Sequence, residues 1–103
     1  MREVGIVGVG HTKFGKMSEG TFMDMLCMAA VQALDDAGVR TVEGEHGIDQ
    51  VFVATMGAGI LNKQCGVASA LVDTLNLRPA MAETVENGPA SGASAIKLGY
   101  MAI

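Results

Sequence analysis

Three short apolar runs alternate with longer helical patterns along this chain of 103 residues. The runs "REVGIVGVG", "IDQVFVATM" and "AMAETVE" have the composition of buried strands. Patterns typical of helices follow them, at about 21–38, 63–76 and 90–103. Strands that are separated by helices pair in parallel, because a tight hairpin cannot connect them. The sequence therefore predicts an α/β fold of order βαβαβα, with parallel strands and crossover helices.

Composition narrows the class of protein. Half of the residues are hydrophobic, which is enough for the core of at most one small domain, 1–103. The formal net charge is −4 and no basic cluster occurs, so we expect no nucleic-acid partner. The apolar runs are too short for a membrane span or a signal peptide, so we expect a cytoplasmic protein without a membrane partner.

The two cysteines, Cys27 and Cys65, stand far apart in the sequence. Metal sites usually need more ligands at closer spacing, so we expect no metal. A single disulfide between the two thiols stays open as an alternative. Cys27 fits a helix core, whereas Cys65 lies near a helix start, where a thiol can become more reactive.

The predicted helices carry recognisable end signals. Thr21 and Asp24 have the spacing of a capping box, and Gly38 is a typical helix stop. Apolar residues then share one face of this first helix: Phe22, Leu26, Ala29 or Ala30, Ala33 and Ala37. We expect Asn62 to cap the second helix, in which Val67, Leu71 and Leu75 are in register.

The third helix, 90–103, differs from the other two. Lys97 is its only charged residue, and its apolar and small residues surround the axis. Such a helix needs burial on several sides. The sequence also stops at Ile103 without a glycine cap or a basic last turn. These features favour a fragment, or a subunit that a partner chain completes.

Two motifs resemble known sites but fail on spacing. "GVGHTKFG" lacks the third glycine at the place where a dinucleotide-binding turn opens into its helix, so a simple glycine-dependent turn is favoured. "GPASGAS" lacks the glycines of a hydrolase nucleophile elbow, because Pro89 and Ala93 flank Ser91 at those positions. His11 and His46 are interpreted as solvated loop residues.

The start of the third helix is the remaining candidate site. A helix N-terminus offers backbone N–H groups and the positive end of a dipole. The small residues of "ENGPASG" would allow a ligand to come close to the backbone. Binding of an anion or of a thioester oxygen at this turn is therefore an open hypothesis.

Several stretches together resemble the thiolase family, and specifically its sterol-carrier-protein type. They follow one another in the family's order and spacing: "EVGIVGVGHTKFGK", "AAVQALDDAGV", "IDQVFVATM", "AGILNKQCGVASALVDTLNL" and "VENGPASGASAIKLGYMAI". The resemblance implies a partial N-terminal domain, whose strands belong to a mixed five-stranded sheet. It also implies that helix 90–103 is the buried central helix of a much longer protein.

The resemblance further implies a reaction class. Thiolases transfer acyl groups from coenzyme A thioesters, by thiolytic cleavage or Claisen condensation, through an acylated cysteine and without a covalently bound cofactor. The family pattern around that cysteine is approximately Glu-Asn-x-Cys-x-Ser-Gly. In "ENGPASG" the residues Glu86, Asn87, Ser91 and Gly92 match, Gly88 lies in the same turn, and Pro89 replaces the cysteine.

Pro89 removes two groups on which the family chemistry depends. It has no nucleophilic sulfur, and it has no backbone N–H for an oxyanion hole. The loss of one such donor costs about 3 kcal/mol in the transition state. Proline is nevertheless well tolerated at the first helical position, so the fold could persist. We expect a chain that is inactive by itself, with two alternatives: a subunit of a homo-oligomer or of a complex with a partner protein, or a small coenzyme A-binding module.

Overall fold

The computed structural model describes residues 2–16, 20–39 and 47–103. The chain divides into two compact units, Met1–Gly47 and Ile48–Ile103. His46, which was interpreted as a solvated loop residue, lies outside the described residues. The prediction of one partial domain over 1–103 stays a prediction.

The first unit contains one long helix, α1, at Phe22–Ala37. Thr21 Oγ1 accepts from the Asp24 N–H at 3.1 Å, and the Asp24 carboxylate accepts from the Thr21 N–H at 2.8 Å. Gly38 ends the helix in the left-handed conformation, at φ 76°. The predicted capping box and glycine stop are therefore confirmed, because both depend only on residues close in the sequence.

The predicted first strand is wrong within the described residues: 2–14 form no ladder with another strand. Instead, the backbone N–H of Val9 donates to the Asp36 carboxylate at 2.9 Å, and that of His11 donates to Gln32 Oε1 at 3.2 Å. Ile6 and Val7 are 83 % and 78 % exposed rather than buried. A strand needs a backbone partner, and here side chains of α1 take backbone donors of the segment.

Gly8 and Gly10 have a different role from the predicted turn. A side chain at Gly8 would come within 2.7 Å of the Ala37 nitrogen, and one at Gly10 within 2.7 Å of the Ala33 nitrogen. Neither glycine has a positive φ among the described residues. These glycines are therefore needed because the segment passes directly against the backbone of α1.

The second unit is built on two parallel strands, β1 at Gln50–Ala54 and β2 at Met81–Val85. The pairing register runs from Gln50 opposite Met81 to Ala54 opposite Val85. Backbone bonds continue the pairing at both ends, from the Met81 N–H to Asp49 O at 2.9 Å and from the Thr55 N–H to Val85 O at 3.0 Å. The predicted parallel pairing is confirmed.

Two helices connect these strands, where one was predicted. The short α2 spans Ala58–Leu61, and α3 spans Val67–Thr74. Asn62 was expected to cap the longer helix, but it ends α2, with its N–H donating to Ala58 O. Gly66 precedes α3 in the left-handed conformation, at φ 60°, so this glycine separates the two helices instead of weakening the interior of one.

The helix α3 also ends at Thr74, before the predicted end at about residue 76. Asn76 adopts a left-handed conformation at φ 53°. The Asn76 N–H donates to Asp73 O and the Leu77 N–H to Val72 O, at 3.2 and 2.9 Å. These two bonds form a Schellman motif, in which buried Leu77 lies next to buried Val72.

The core of the second unit lies between α3 and the two strands, and α3 contacts both strands. Val67 and Leu71 of the predicted apolar register are buried, whereas Leu75 is half-buried. The buried apolar residues of the described chain are Val53, Ala58, Val67, Ala68, Leu71, Val72 and Leu77. This small core holds the carboxyl ends of both strands in place.

The last helix, α4, spans Ser91–Ala102 and packs against β1 and β2. Ser91 is its one buried residue. Ile96, Met101 and Ile103 are 74 %, 63 % and 70 % exposed, so much of the apolar surface noted in the sequence has no covering within the described residues. The structure thus confirms the α/β class, with parallel strands β1 and β2 joined through α3, although the described residues 2–14 form no first strand.

Candidate functional site

The candidate site is the turn between the end of β2 and the start of α4. Val85 is the last residue of the strand and Ser91 the first residue of the helix. Gly88 adopts a left-handed conformation at φ 54°, which costs glycine little and other residues about 1–2 kcal/mol. The chain can therefore reverse from strand to helix within five residues.

Ser91 links the two sides of this turn. Its side chain accepts from the Asn87 backbone N–H at 2.8 Å, and it donates to the Gly88 carbonyl oxygen at 2.7 Å. Ser91 is only 5 % exposed. A buried hydroxyl that uses both its donor and its acceptor capacity restrains the backbone on both sides of residue 89.

Further hydrogen bonds close the same turn. The Ala90 N–H donates to Asn87 O at 3.1 Å, and the Ser91 N–H donates to Gly88 O at 3.2 Å. The Gly88 N–H donates to the Glu86 carboxylate. The turn is thus held by groups from Glu86 to Ser91, and none of these bonds involves a hydrogen from residue 89.

Asn87 extends this network onto the helix. Its side-chain Nδ2 donates to Ser94 Oγ at 2.9 Å. Sequence reasoning missed Ser94, although the spacing of Ser91 and Ser94 is a usable signal because residues three apart share one helix face. Asn87, Gly88 and Ser91 therefore act together in the structure as supports of the turn, and Gly92 lies in the first helical turn after them.

Pro89 is exposed at the tip of the turn and precedes Ala90, which flanks the first helical residue. The expectation that Pro89 occupies the first helical position is therefore wrong by two residues. The reason is that the tight turn through Gly88 uses the 87–90 backbone before the helix begins. The side chain of Pro89 cannot attack a thioester, and its nitrogen cannot donate a hydrogen bond.

The hypothesis of backbone anion binding loses part of its basis at this turn. The N–H groups of Gly88, Ala90 and Ser91 all have acceptors within the protein. An anion or a thioester oxygen would have to displace these acceptors before it could use the same donors. The geometry thus makes the turn a self-supporting connection.

A groove of about 380 Å³ lies beside the turn, at the carboxyl ends of β1 and β2. Glu86 belongs to both features, since it lines the groove and accepts from Gly88. Ligands of α/β proteins commonly bind at this end of the strands. The remaining lining residues are Thr55, Met56, Ala58, Gly59, Ile60, Gln64, Cys65, Gly66 and Thr84.

Two threonine hydroxyl groups that line the groove accept hydrogen bonds from backbone N–H groups. Thr55 Oγ1 accepts from the Ala58 N–H at 3.3 Å, and Thr84 Oγ1 accepts from the Ala68 N–H at 3.0 Å. These bonds attach the starts of α2 and α3 to the ends of the strands. Cys65 lines the opening with an exposed thiol.

The other titratable candidates lie apart from the turn in the sequence. Cys27 is half-buried in α1, and burial, followed by the charge of Asp24, raises the pKa of its thiol. His11 makes an edge-to-face contact with Phe14 at 4.7 Å. Both cysteines are free thiols, so the disulfide alternative is not formed.

The residues that the structure describes show neither a cluster of metal ligands nor a membrane-spanning helix. No group of three or more His, Cys, Asp or Glu residues among them could hold a metal ion. None of the helices in the described ranges is both long enough and apolar enough to cross a membrane.

Comparison with known proteins connects this chain to two proteins that share one name. No protein-family model matches the chain. A protein of Methanothermobacter thermautotrophicus named acetyl-CoA acetyltransferase is 37 % identical over 103 residues, which are 100 % of this chain and 26 % of that protein. A protein of Methanocaldococcus jannaschii with the same name is 36 % identical over 97 residues, or 94 % of this chain and 24 % of that protein.

The chain thus spans about a quarter of the length of the curated relatives that it matches. The matched region covers the whole of this chain and so contains the strand, turn and helix of the candidate site. These matches confirm the resemblance identified from the sequence: over its whole length the chain is similar to part of proteins named acetyl-CoA acetyltransferase, as a partial thiolase-like domain would be.

Proposed function

We propose that this chain is a thiolase-like protein related to the acyl-CoA acyltransferases and that it is catalytically inactive by itself. The observation that carries the proposal is Pro89, which stands exposed at the turn between β2 and α4. The family places its nucleophilic cysteine at this turn. The proline supplies neither a sulfur nucleophile nor a backbone N–H.

The surrounding turn supports a relation to an acyltransferase rather than an unrelated connection. Buried Ser91 bonds to the backbone of Asn87 and Gly88, and these bonds support the turn around residue 89. The related chemistry is acyl transfer from a coenzyme A thioester, by thiolytic cleavage or condensation. In this proposal the chain keeps the Ser91 hydrogen bonds that hold the turn, but it lacks the cysteine sulfur that would react.

Mass spectrometry after incubation with acetyl-CoA tests the proposal. We expect no acetylated protein beyond the slow chemical acylation that the free thiols of Cys27 and Cys65 undergo. A variant with Cys27→Ala and Cys65→Ala provides the control, because it removes both thiols. Persistent acetylation of this double variant would contradict the proposed inactivity.

The exposed apolar surface of α4 favours a second candidate function, that of an interaction subunit. Ile96 and Met101 are largely exposed on α4, whose only buried residue is Ser91, and Ile103 is exposed at the end of this helix. Apolar patches of this kind commonly mark protein–protein contacts. A second copy of the chain or a partner protein would then cover α4 and complete the fold.

Light scattering after size exclusion separates this candidate from the first. We expect association that weakens in Ile96→Lys, because a charge on an exposed contact opposes burial. Ile60→Lys is the matched control, since Ile60 is 84 % exposed but lies on α2. A protein that remains monomeric at all concentrations, or equal effects of the two variants, would count against an α4 interface.

A coenzyme A-binding module is the third candidate. The groove beside Glu86 supports it through its size and its place at the carboxyl ends of the strands. A ligand that binds the folded state raises the unfolding temperature. A rise with coenzyme A, and none with NAD or ATP, is the expected result; no rise with coenzyme A would reject this candidate.

A further inference from the structure

We draw no further inference here: the strongest candidate, the 380 Å³ groove at the carboxyl ends of β1 and β2 that the exposed thiol of Cys65 lines, carries none because nothing in the structure shows what occupies it.

Discussion

The side chain of Ser91 bonds to the backbone of the two residues before Pro89: it accepts from the Asn87 N–H and donates to the Gly88 carbonyl. The distances are 2.8 and 2.7 Å, and the hydroxyl is nearly inaccessible to solvent. The turn therefore has a support that is independent of the residue at position 89. This separation explains how proline can occupy the tip of the turn while the strand-to-helix connection is kept.

Ser91→Ala should destabilise the protein by about 1–2 kcal/mol, because the part-buried Asn87 N–H loses its acceptor and the Gly88 carbonyl loses one of its two donors. Ser94→Ala is the matched control, since it removes one exposed side-chain bond to Asn87 and should cost less than about 1 kcal/mol. Urea unfolding followed by circular dichroism measures both free energies. Equal losses in the two variants would contradict the role assigned to Ser91.

Pro89→Cys should fold normally, because the bonds of the turn use Asn87, Gly88, Ala90 and Ser91. The new thiol stands near the start of α4, and helix N-termini lower the pKa of cysteine. Iodoacetamide should therefore alkylate Cys at 89 at a lower pH than it alkylates free cysteine. The matched variant Pro89→Ser should show no new alkylation. A pH–rate profile equal to that of free cysteine would show that the helix start does not activate this position.

Gly10→Ala should destabilise the first unit by about 1–3 kcal/mol, the usual cost of overpacking. Its new methyl group would lie within 2.7 Å of the Ala33 nitrogen of α1. Gly5→Ala is the control in the same segment, because no atom lies within 4 Å of its added carbon. Thermal unfolding of the two variants compares them, and an unchanged transition in Gly10→Ala would show that the segment does not pack on α1 as described.

Cys27 should react with iodoacetamide only at a higher pH than free cysteine does, because burial and then Asp24 raise the pKa of its thiol. The Cys27 thiolate therefore binds a proton more tightly in the folded state than in the unfolded state. The stability that this proton confers is present below the pKa of the unfolded thiol, about 8.5, and is lost as the pH rises through the higher folded-state pKa.

Peptide mapping of the alkylated protein measures this reaction, and Asp24→Asn should move it to lower pH by removing one negative charge. Asn can still accept from the Thr21 N–H, so α1 keeps that bond of the cap. A profile for Cys27 that coincides with that of free cysteine would contradict the predicted shift.

Local signals predicted the helices well. The capping box of Thr21 and Asp24, the stop at Gly38 and the half-buried face of α1 all agree with the structure. Their hydrogen bonds join residues three or four apart, so a short stretch of sequence contains both partners. The boundaries of α3 were predicted less well, because left-handed residues such as Gly66 and Asn76 can begin or end a helix wherever packing favours it.

The candidate site was predicted in part. The sequence identified the turn and Pro89, and the resemblance indicated which neighbours matter. It did not identify Ser94 or the bond between Glu86 and Gly88, and it indicated free backbone donors where Gly88, Ala90 and Ser91 are already bonded. Hydrogen-bond partners inside a tight turn depend on the backbone angles of several residues at once, which composition and spacing do not specify.

By itself, the sequence determined the α/β class, the parallel pairing of β1 with β2, the apolar character of α4 and the absence of a sulfur nucleophile at position 89. These properties follow from periodicity along the chain and from the chemistry of single side chains. Only the tertiary structure decided that residues 8–11 lie against α1 without a strand partner, and that Ser91 is buried beneath the turn. Both outcomes depend on which groups meet in space: a backbone donor bonds to the acceptor that packing brings within about 3 Å of it.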